Sequence, residues 1–257
     1  MRIGIAGIAG RMGKLLAEEV AAAGATLVGG TTRPGSTRAL PAGAALLPDA
    51  GSLFAAADVV IDFTHADQAV AHAEAAVAAG KGLVLGSSGL SAAQEAAVAA
   101  AAQRVPVVYA ANFSPGVTLV LALAERMAAA LPAAEYDAEI VEMHHRQKVD
   151  APAGTAIAMG RAVAAGRGTT LDAAGRESGR DGHTGPRATG AIGFAALRGG
   201  QVVGEHTLIF AGATEHIALT HRSFDRRVYA TGAVRAALWL RGRGPGLYDM
   251  KHVIGMA

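Results

Sequence analysis

The amino-acid sequence predicts an α/β protein: a doubly wound parallel sheet followed by a second, α+β domain. Three observations lead there. From Arg2 to Tyr109, short apolar runs alternate with helical stretches, the rhythm of β-α units around a parallel sheet. The first strand-to-helix turn carries glycines at 7, 10 and 13, the setting of a Rossmann-type nucleotide turn. Beyond Pro115 the rhythm changes, and strand-like runs follow one another across loops as short as Arg198-Gly199-Gly200. Such loops predict antiparallel hairpins.

Taken in order, Arg2–Ala6 reads as a short buried strand. Arg11 to Ala23 reads as a helix with Met12, Leu15, Leu16 and Val20 on one face. Further strands are expected at Thr26 to Gly29, Val59 to Phe63, Leu83 to Leu85 and Val105 to Tyr109. Ala66–Ala79 reads as a helix stopped by Gly80, and Ser91 with Gln94 forms a capping box for the next. Pro115 to Leu131 reads as a connecting helix, Ala138 to His144 as a strand and Gly154 to Ala165 as a helix. The later strand-like runs are Gly190 to Leu197, Gln201 to Phe210 and His216 to His221, and Arg226 to Arg241 is a last helix. The stretch from Gly166 to Arg187 is long, Gly-rich and polar, and reads as a mobile loop. The expected division is 1–114 for the dinucleotide-binding domain and 115–224 for the second domain.

Composition narrows the function. Half of the 257 residues are apolar (51%) and 17% are charged, enough for a sizeable core. Lys and Arg number 23 against 21 Asp and Glu, with 4% aromatics and no dense basic run, which disfavours a nucleic-acid partner. The absence of cysteine excludes disulfides, thiolate metal sites and thiol catalysis. No segment reads as a signal peptide or a membrane span, so a cytoplasmic protein is expected.

In the turn Gly7-Ile8-Ala9-Gly10-Arg11-Met12-Gly13, glycines let the backbone approach a pyrophosphate whose charge the helix N-terminus favours. The spacing is G-x-x-G-x-x-G, so the strand–turn–helix context carries the reading; a tight turn without a ligand is the plainer alternative. After the second strand, where an acid would hold a ribose 2′-hydroxyl, stand Thr31, Thr32 and Arg33. Arg33 suits a 2′-phosphate and equally a solvated loop. Phe63-Thr64, Gly86-Ser87-Ser88 and Ala110-Ala111-Asn112-Phe113 each follow an expected strand and are candidates to line the nicotinamide end. Phe63 and Phe113 suit core packing as well. Arg235, midway along the last helix, is a candidate to reach the cofactor, though a solvated helical arginine is the plainer reading.

The most specific segment is EIVEMHHRQKVDAPAGTA, Glu139 to Ala156. His144, His145, Arg146 and Lys148 are costly to bury. Cations beside the Ala153-Gly154-Thr155 helix start suit an anionic ligand, because free N–H groups point outward there. His144 exchanges protons near neutrality and Lys148 can supply one. Adjacent residues of a strand face opposite sides, so the two histidines do not share a metal ion. Glu142 and Asp150 are candidates to orient the histidines or the lysine. His206, His216 and His221 suit structural or interface positions. The residues leave open a nicotinamide enzyme acting on a small carboxylate, a different two-domain amino-acid or semialdehyde dehydrogenase, and a non-catalytic nucleotide sensor.

The whole pattern resembles the 4-hydroxy-tetrahydrodipicolinate reductase (dihydrodipicolinate reductase) family. The likeness lies in GIAGRMG at 7–13, IDFTHA at 61–66, AANFSPGV at 110–117, the segment 139–156, GHTGPR at 182–187, GEHTLIF at 204–210 and GAVRAALWL at 232–240. It implies reduction of the cyclic dicarboxylate imine 4-hydroxy-tetrahydrodipicolinate to tetrahydrodipicolinate with NADPH or NADH, a step of lysine and diaminopimelate synthesis. By position it implies His144 as proton donor or acceptor and Lys148 as proton donor. His145, Gly154 and Thr155 would hold the substrate carboxylates. Residues 7–13, 86–88 and 110–113 would line the cofactor, with Arg33 at the NADP-contacting position. The resemblance also implies a homotetramer assembled through the sheets of the second domain, and a C-terminal segment, 225–257, that returns to the first domain. Gln147, Ala153, Ser87, Ser88 and Thr32 depart from the residues usual in the family.

Overall fold

The computed structural model describes residues 1–257. In chain order the first elements are β1 (Arg2–Ala6), α1 (Arg11–Ala22), β2 (Thr26–Thr31), α2 (Ala50–Ala56), β3 (Val59–Asp62), α3 (Ala66–Ala79), β4 (Gly82–Leu85), α4 (Ala92–Ala102) and β5 (Pro106–Tyr109). Then come α5 (Pro115–Ala130), β6 (Asp137–His144), α6 (Gly154–Gly166), α7 (Leu171–Ala174), β7 (Arg176–Ser178), β8 (Ile192–Arg198), β9 (Gly204–Ala211) and β10 (His216–Ser223). The chain closes with α8 (Arg227–Trp239), β11 (Gly246–Tyr248) and α9 (Met250–Ile254). It divides into two compact units, Met1–Pro115 with Arg227–Ala257, and Gly116–Arg226. No helix is long and apolar enough to cross a membrane.

The first unit is a Rossmann-type layer structure. Its six strands run parallel in the order β11-β5-β4-β3-β1-β2. Every residue of β3 and β4 is buried, because successive side chains point to opposite faces and helices cover both. On one side Ile3, Ile5, Ile61, Val84 and Val108 pack against Leu16 and Val20 of α1 and Ala233, Val234 and Ala237 of α8. On the other, Val60, Leu83, Leu85 and Val107 meet Leu53 and Phe54 of α2, Ala69, Ala73 and Ala76 of α3, and Val98 and Ala102 of α4. The Ser91–Gln94 capping box starts α4, and Gly80, at φ 64°, ends α3.

The second unit is a mixed sheet ordered β10-β9-β6-β8-β7. Helices α5 and α6 cover one face through Val120, Ala124, Ala128, Met159 and Val163, packed on Ile140, Phe194, Leu208 and Phe210. The second unit differs from the sequence expectation in two places. Strands β8 and β9 do not form a hairpin across Arg198-Gly199-Gly200: β8 lies parallel to β6 on one flank, and β9 antiparallel to it on the other. Ala138 and Ile140 of β6 are buried between apolar strands on both flanks, which places β6 at the centre. Only β9 and β10 make the expected antiparallel pair among these runs. Residues 166–187, read as a mobile loop, contain α7 and β7, and β7 pairs with β8. Arg187 ties its end down, reaching Glu139 and Asp137 (2.9 Å each) and the carbonyls of Ala138 and Ala191. Such long-range charge pairs leave no local signature in a polar, Gly-rich stretch.

Candidate active site

In the first unit, the carboxyl ends of neighbouring parallel strands gather many of the sequence-predicted nucleotide residues. After β1, Gly7 takes φ 72°, and its carbonyl accepts the Gly10 N–H at 2.9 Å. A side chain at Gly13 would strike the carbonyl oxygens of Gly7 and Ile8, so the helix can start this close to the turn only with glycine there. No side chain caps α1 at Gly10, which leaves its first N–H groups available to an anion. Thr64 lies beside Gly7, where an added side chain would meet its methyl. The Phe63 ring covers Gly86 in the same way and sits 5.2 Å from the Phe113 ring.

A buried latch holds this rim. Asp62, fully buried at the end of β3, accepts from Thr64 N–H (2.7 Å) and Thr64 Oγ1 (2.6 Å) and pairs with His72 Nδ1 at 2.6 Å. The Asn112 side chain accepts the Ser114 N–H at 2.8 Å. Ile8, Ala9 and Phe113 are buried in the core, so what they offer a ligand is backbone. Ser87 is buried, and its Oγ has no protein partner. A nucleotide fits these features: it would supply a partner for that hydroxyl and an anion for the uncapped helix start. Arg33 is exposed just beyond β2. Arg235 stands apart from this group, on the exposed side of α8 in a shallow depression with Glu19, Ala22 and Ala23. Those residues belong to the far end of α1 from the glycine turn.

In the second unit, β6 alternates buried and half-buried residues, which puts Glu142 and His144 on its covered face. Glu142 is 1% exposed. Its Oε2 accepts from His144 Nδ1 (2.6 Å) and Arg198 Nη1 (2.8 Å), and its Oε1 from Arg198 Nη2 (2.8 Å) and the Ala153 N–H (3.1 Å). Burial alone pushes this carboxyl up. The bonds from Arg198, His144 and Ala153 together outweigh it and hold the group below the usual carboxylate range. Lys148 Nζ donates to both oxygens of Asp150, at 2.7 and 2.8 Å, and lowers that carboxyl too. Helix α6 starts at Gly154 with no side-chain cap, so Gly154 and Thr155 present N–H groups. His145 keeps a buried Nδ1 without a partner. The segment 144–155 thus joins a histidine, a lysine and an uncapped helix start at one end of the sheet.

Arg198 escapes a reading of the sequence, and His206, which reads there as a structural or interface residue, packs on His144. Arg198 stands opposite His144 in the β6–β8 register. His206 on β9 is 4% exposed, has no partner at either nitrogen and meets the His144 ring edge-on at 5.1 Å. Burial first, and the neighbouring His144 second, lower its pKa to about 4. Strand register alone brings these residues to His144. The alternation of polar and apolar residues in QVVGEHTLIF put His206 on the side opposite Glu205 and Thr207, but not against a particular neighbour.

The family model described as dihydrodipicolinate reductase, N-terminus, matches residues 1–113, and that for the C-terminus matches 116–254. A 4-hydroxy-tetrahydrodipicolinate reductase of Granulibacter bethesdensis is 65% identical over 100% of this chain and 97% of its own length. The protein of that name from Gluconacetobacter diazotrophicus is 63% identical over 100% and 98%. A dipicolinate-bound dihydrodipicolinate reductase from Paenisporosarcina superposes with a TM-score of 0.81 at 24% identity, covering 97% of each chain. Both halves of the fold and the full length of the sequence agree: the chain belongs to the dihydrodipicolinate reductase family.

Proposed function

We propose that the protein reduces 4-hydroxy-tetrahydrodipicolinate to tetrahydrodipicolinate with NADPH or NADH, a step of lysine and diaminopimelate synthesis. The observation that carries this is the constellation at the end of β6: His144 anchored on a buried carboxylate, Lys148 close behind it, and the uncapped start of α6. Relatives 59–65% identical over the full chain bear the name of this activity.

In this reading the substrate's 4-hydroxyl leaves as water, and the hydride that a bound dinucleotide would supply adds to the electron-poor carbon of the resulting conjugated ring imine. The glycine turn and the first N–H groups of α1 would hold the dinucleotide's pyrophosphate, the Phe63–Thr64, 86–88 and 110–113 segments would line the nicotinamide end, and Arg33 would meet a 2′-phosphate. The substrate's two carboxylates rest on His145, Thr155 and the N–H groups of Gly154 and Thr155. Charge builds on the ring nitrogen as hydride arrives. Lys148 Nζ donates a proton or stabilises that charge, and His144 exchanges a proton at Nε2, since its Nδ1 is engaged by Glu142. We also infer a cytoplasmic enzyme that works as a homotetramer joined through its second unit. Strand β10 closes the sheet edge with no buried residue, and Ile217 on that strand is exposed.

The test is a coupled assay in which the upstream synthase generates the cyclic imine and loss of reduced nicotinamide absorbance is followed. Synthase-dependent cofactor oxidation is expected. Oxidation that ignores the synthase, or none at all, rejects the function.

A further inference from the structure

We propose that Arg198 is a positioning residue that sets which nitrogen of His144 holds the proton and anchors the loop carrying Lys148. Its guanidinium bridges both Glu142 oxygens at 2.8 Å. The same group donates to the Asp150 carbonyl at 2.7 Å and to its neighbour's carbonyl at Leu197, also at 2.7 Å. One planar fork therefore ties β8 to the carboxylate under His144 and to the residue that pairs with Lys148. A lysine offers a point charge and cannot make this set of contacts.

The consequence for His144 follows from donors and acceptors. An ionised carboxylate only accepts, so Nδ1 of the ring must carry hydrogen toward Glu142, and Nε2 is the nitrogen left open. Gly204 borders that nitrogen: an added side chain would lie 3.0 Å from it. Without Arg198, Glu142 would be a carboxylate 1% exposed with one N–H and one imidazole for support. It would then either take a proton and donate it to Nδ1, or draw a second proton onto the ring. Both outcomes place a proton on Nε2.

The other charged or titratable groups near the pair do not replace the arginine. His206 on β9 is kept neutral by burial. His221 lies beside His206 on β10 and is half-buried. The Lys148 ammonium is engaged by Asp150. The catalytic consequence rests on the role of His144 proposed above; the effect on the imidazole does not.

The experiment compares wild type, Arg198→Lys, Arg198→Met and the double variant Arg198→Met/Glu142→Gln, with 15N spectroscopy of the imidazoles and steady-state kinetics. The double variant buries no unpaired charge and keeps the question open should Arg198→Met fail to fold. Wild type should show His144 with hydrogen on Nδ1 and none on Nε2 in the neutral ring. Arg198→Met should place a proton on Nε2, and the double variant should give a mixture. Arg198→Lys should restore the wild-type pattern only in part. In Arg198→Met kcat should fall about 10²-fold, with smaller losses in Arg198→Lys and the double variant and cofactor KM unchanged throughout. An unchanged Nε2 signal across the series, or wild-type kcat in the double variant, overturns the proposal. Wild type that does not turn over the cyclic imine rejects the function, while the imidazole signals still decide the role of Arg198.

Discussion

Lys148 keeps 19% of its side chain exposed while paired to Asp150, a ready but not idle ammonium. If it is the proton donor, Lys148→Ala lowers kcat by roughly 10²–10⁴-fold and leaves cofactor KM unchanged; near-native turnover in that variant counts against the assignment. Thr155→Val keeps the side-chain shape but removes a hydroxyl beside the helix start. It should raise substrate KM more than it lowers kcat, and steady-state kinetics separate the two. Arg33, exposed beyond β2, should favour NADPH over NADH by about fivefold at most, because water screens an exposed pair. Arg33→Ala should erase that ratio of kcat/KM values, and equal losses for both cofactors would exclude Arg33 from reading the phosphate. The basic cluster can be found in sequence because its charges are contiguous. Arg198 cannot, because it reaches Glu142 from 56 residues away.

At the scale of elements, β9 delivers a histidine into the packed face of the sheet. The folded His206 binds a proton only near pH 4, against 6.5 for the free side chain. Between those values the unfolded chain holds the extra proton, so stability rises with pH there. The contribution is complete above about pH 6.5 and is lost as pH falls through 4, amounting to roughly 3 kcal/mol from this residue. Denaturant titrations at pH 7 and pH 4 should show His206→Phe losing less stability on acidification than wild type, and equal losses would argue against it. At the glycine turn, Gly13→Ala drives a methyl into the Gly7 and Ile8 carbonyls. It should cost roughly 1–3 kcal/mol and weaken cofactor binding, measured by calorimetry. The elements α2, α7, β7, β11 and α9 leave no clear signal in the sequence. Strand β11 has three residues and exists by pairing with β5; α2 has seven and starts on the Asp49 cap to Ser52. Segments this short carry too little periodicity to stand out.

For the molecule as a whole, the sheet of the second unit ends in an eight-residue edge strand, β10, with no buried residue. An edge of that length invites pairing or coverage by another copy. Light scattering at micromolar concentration should give a tetramer; a monomer would refute the assembly. Lys substitution at Ile217, 39% exposed on that strand, should shift the equilibrium toward smaller species if copies meet there.

The α/β class, most of the longer elements and the family can be read from the amino-acid sequence, because each rests on local information: apolar periodicity, a glycine turn between strand and helix, and contiguous motifs. The sequence also marks His144, His145, Lys148, Gly154 and Thr155 as a group, since they share one segment. The folded chain alone reveals that β6 lies between β8 and β9, that residues 166–187 are held by Arg187, and that Arg198 and His206 flank the Glu142–His144 pair. Those facts depend on strand order and register. Both arise from packing between distant segments, and no local pattern of residues encodes which strand will lie beside which.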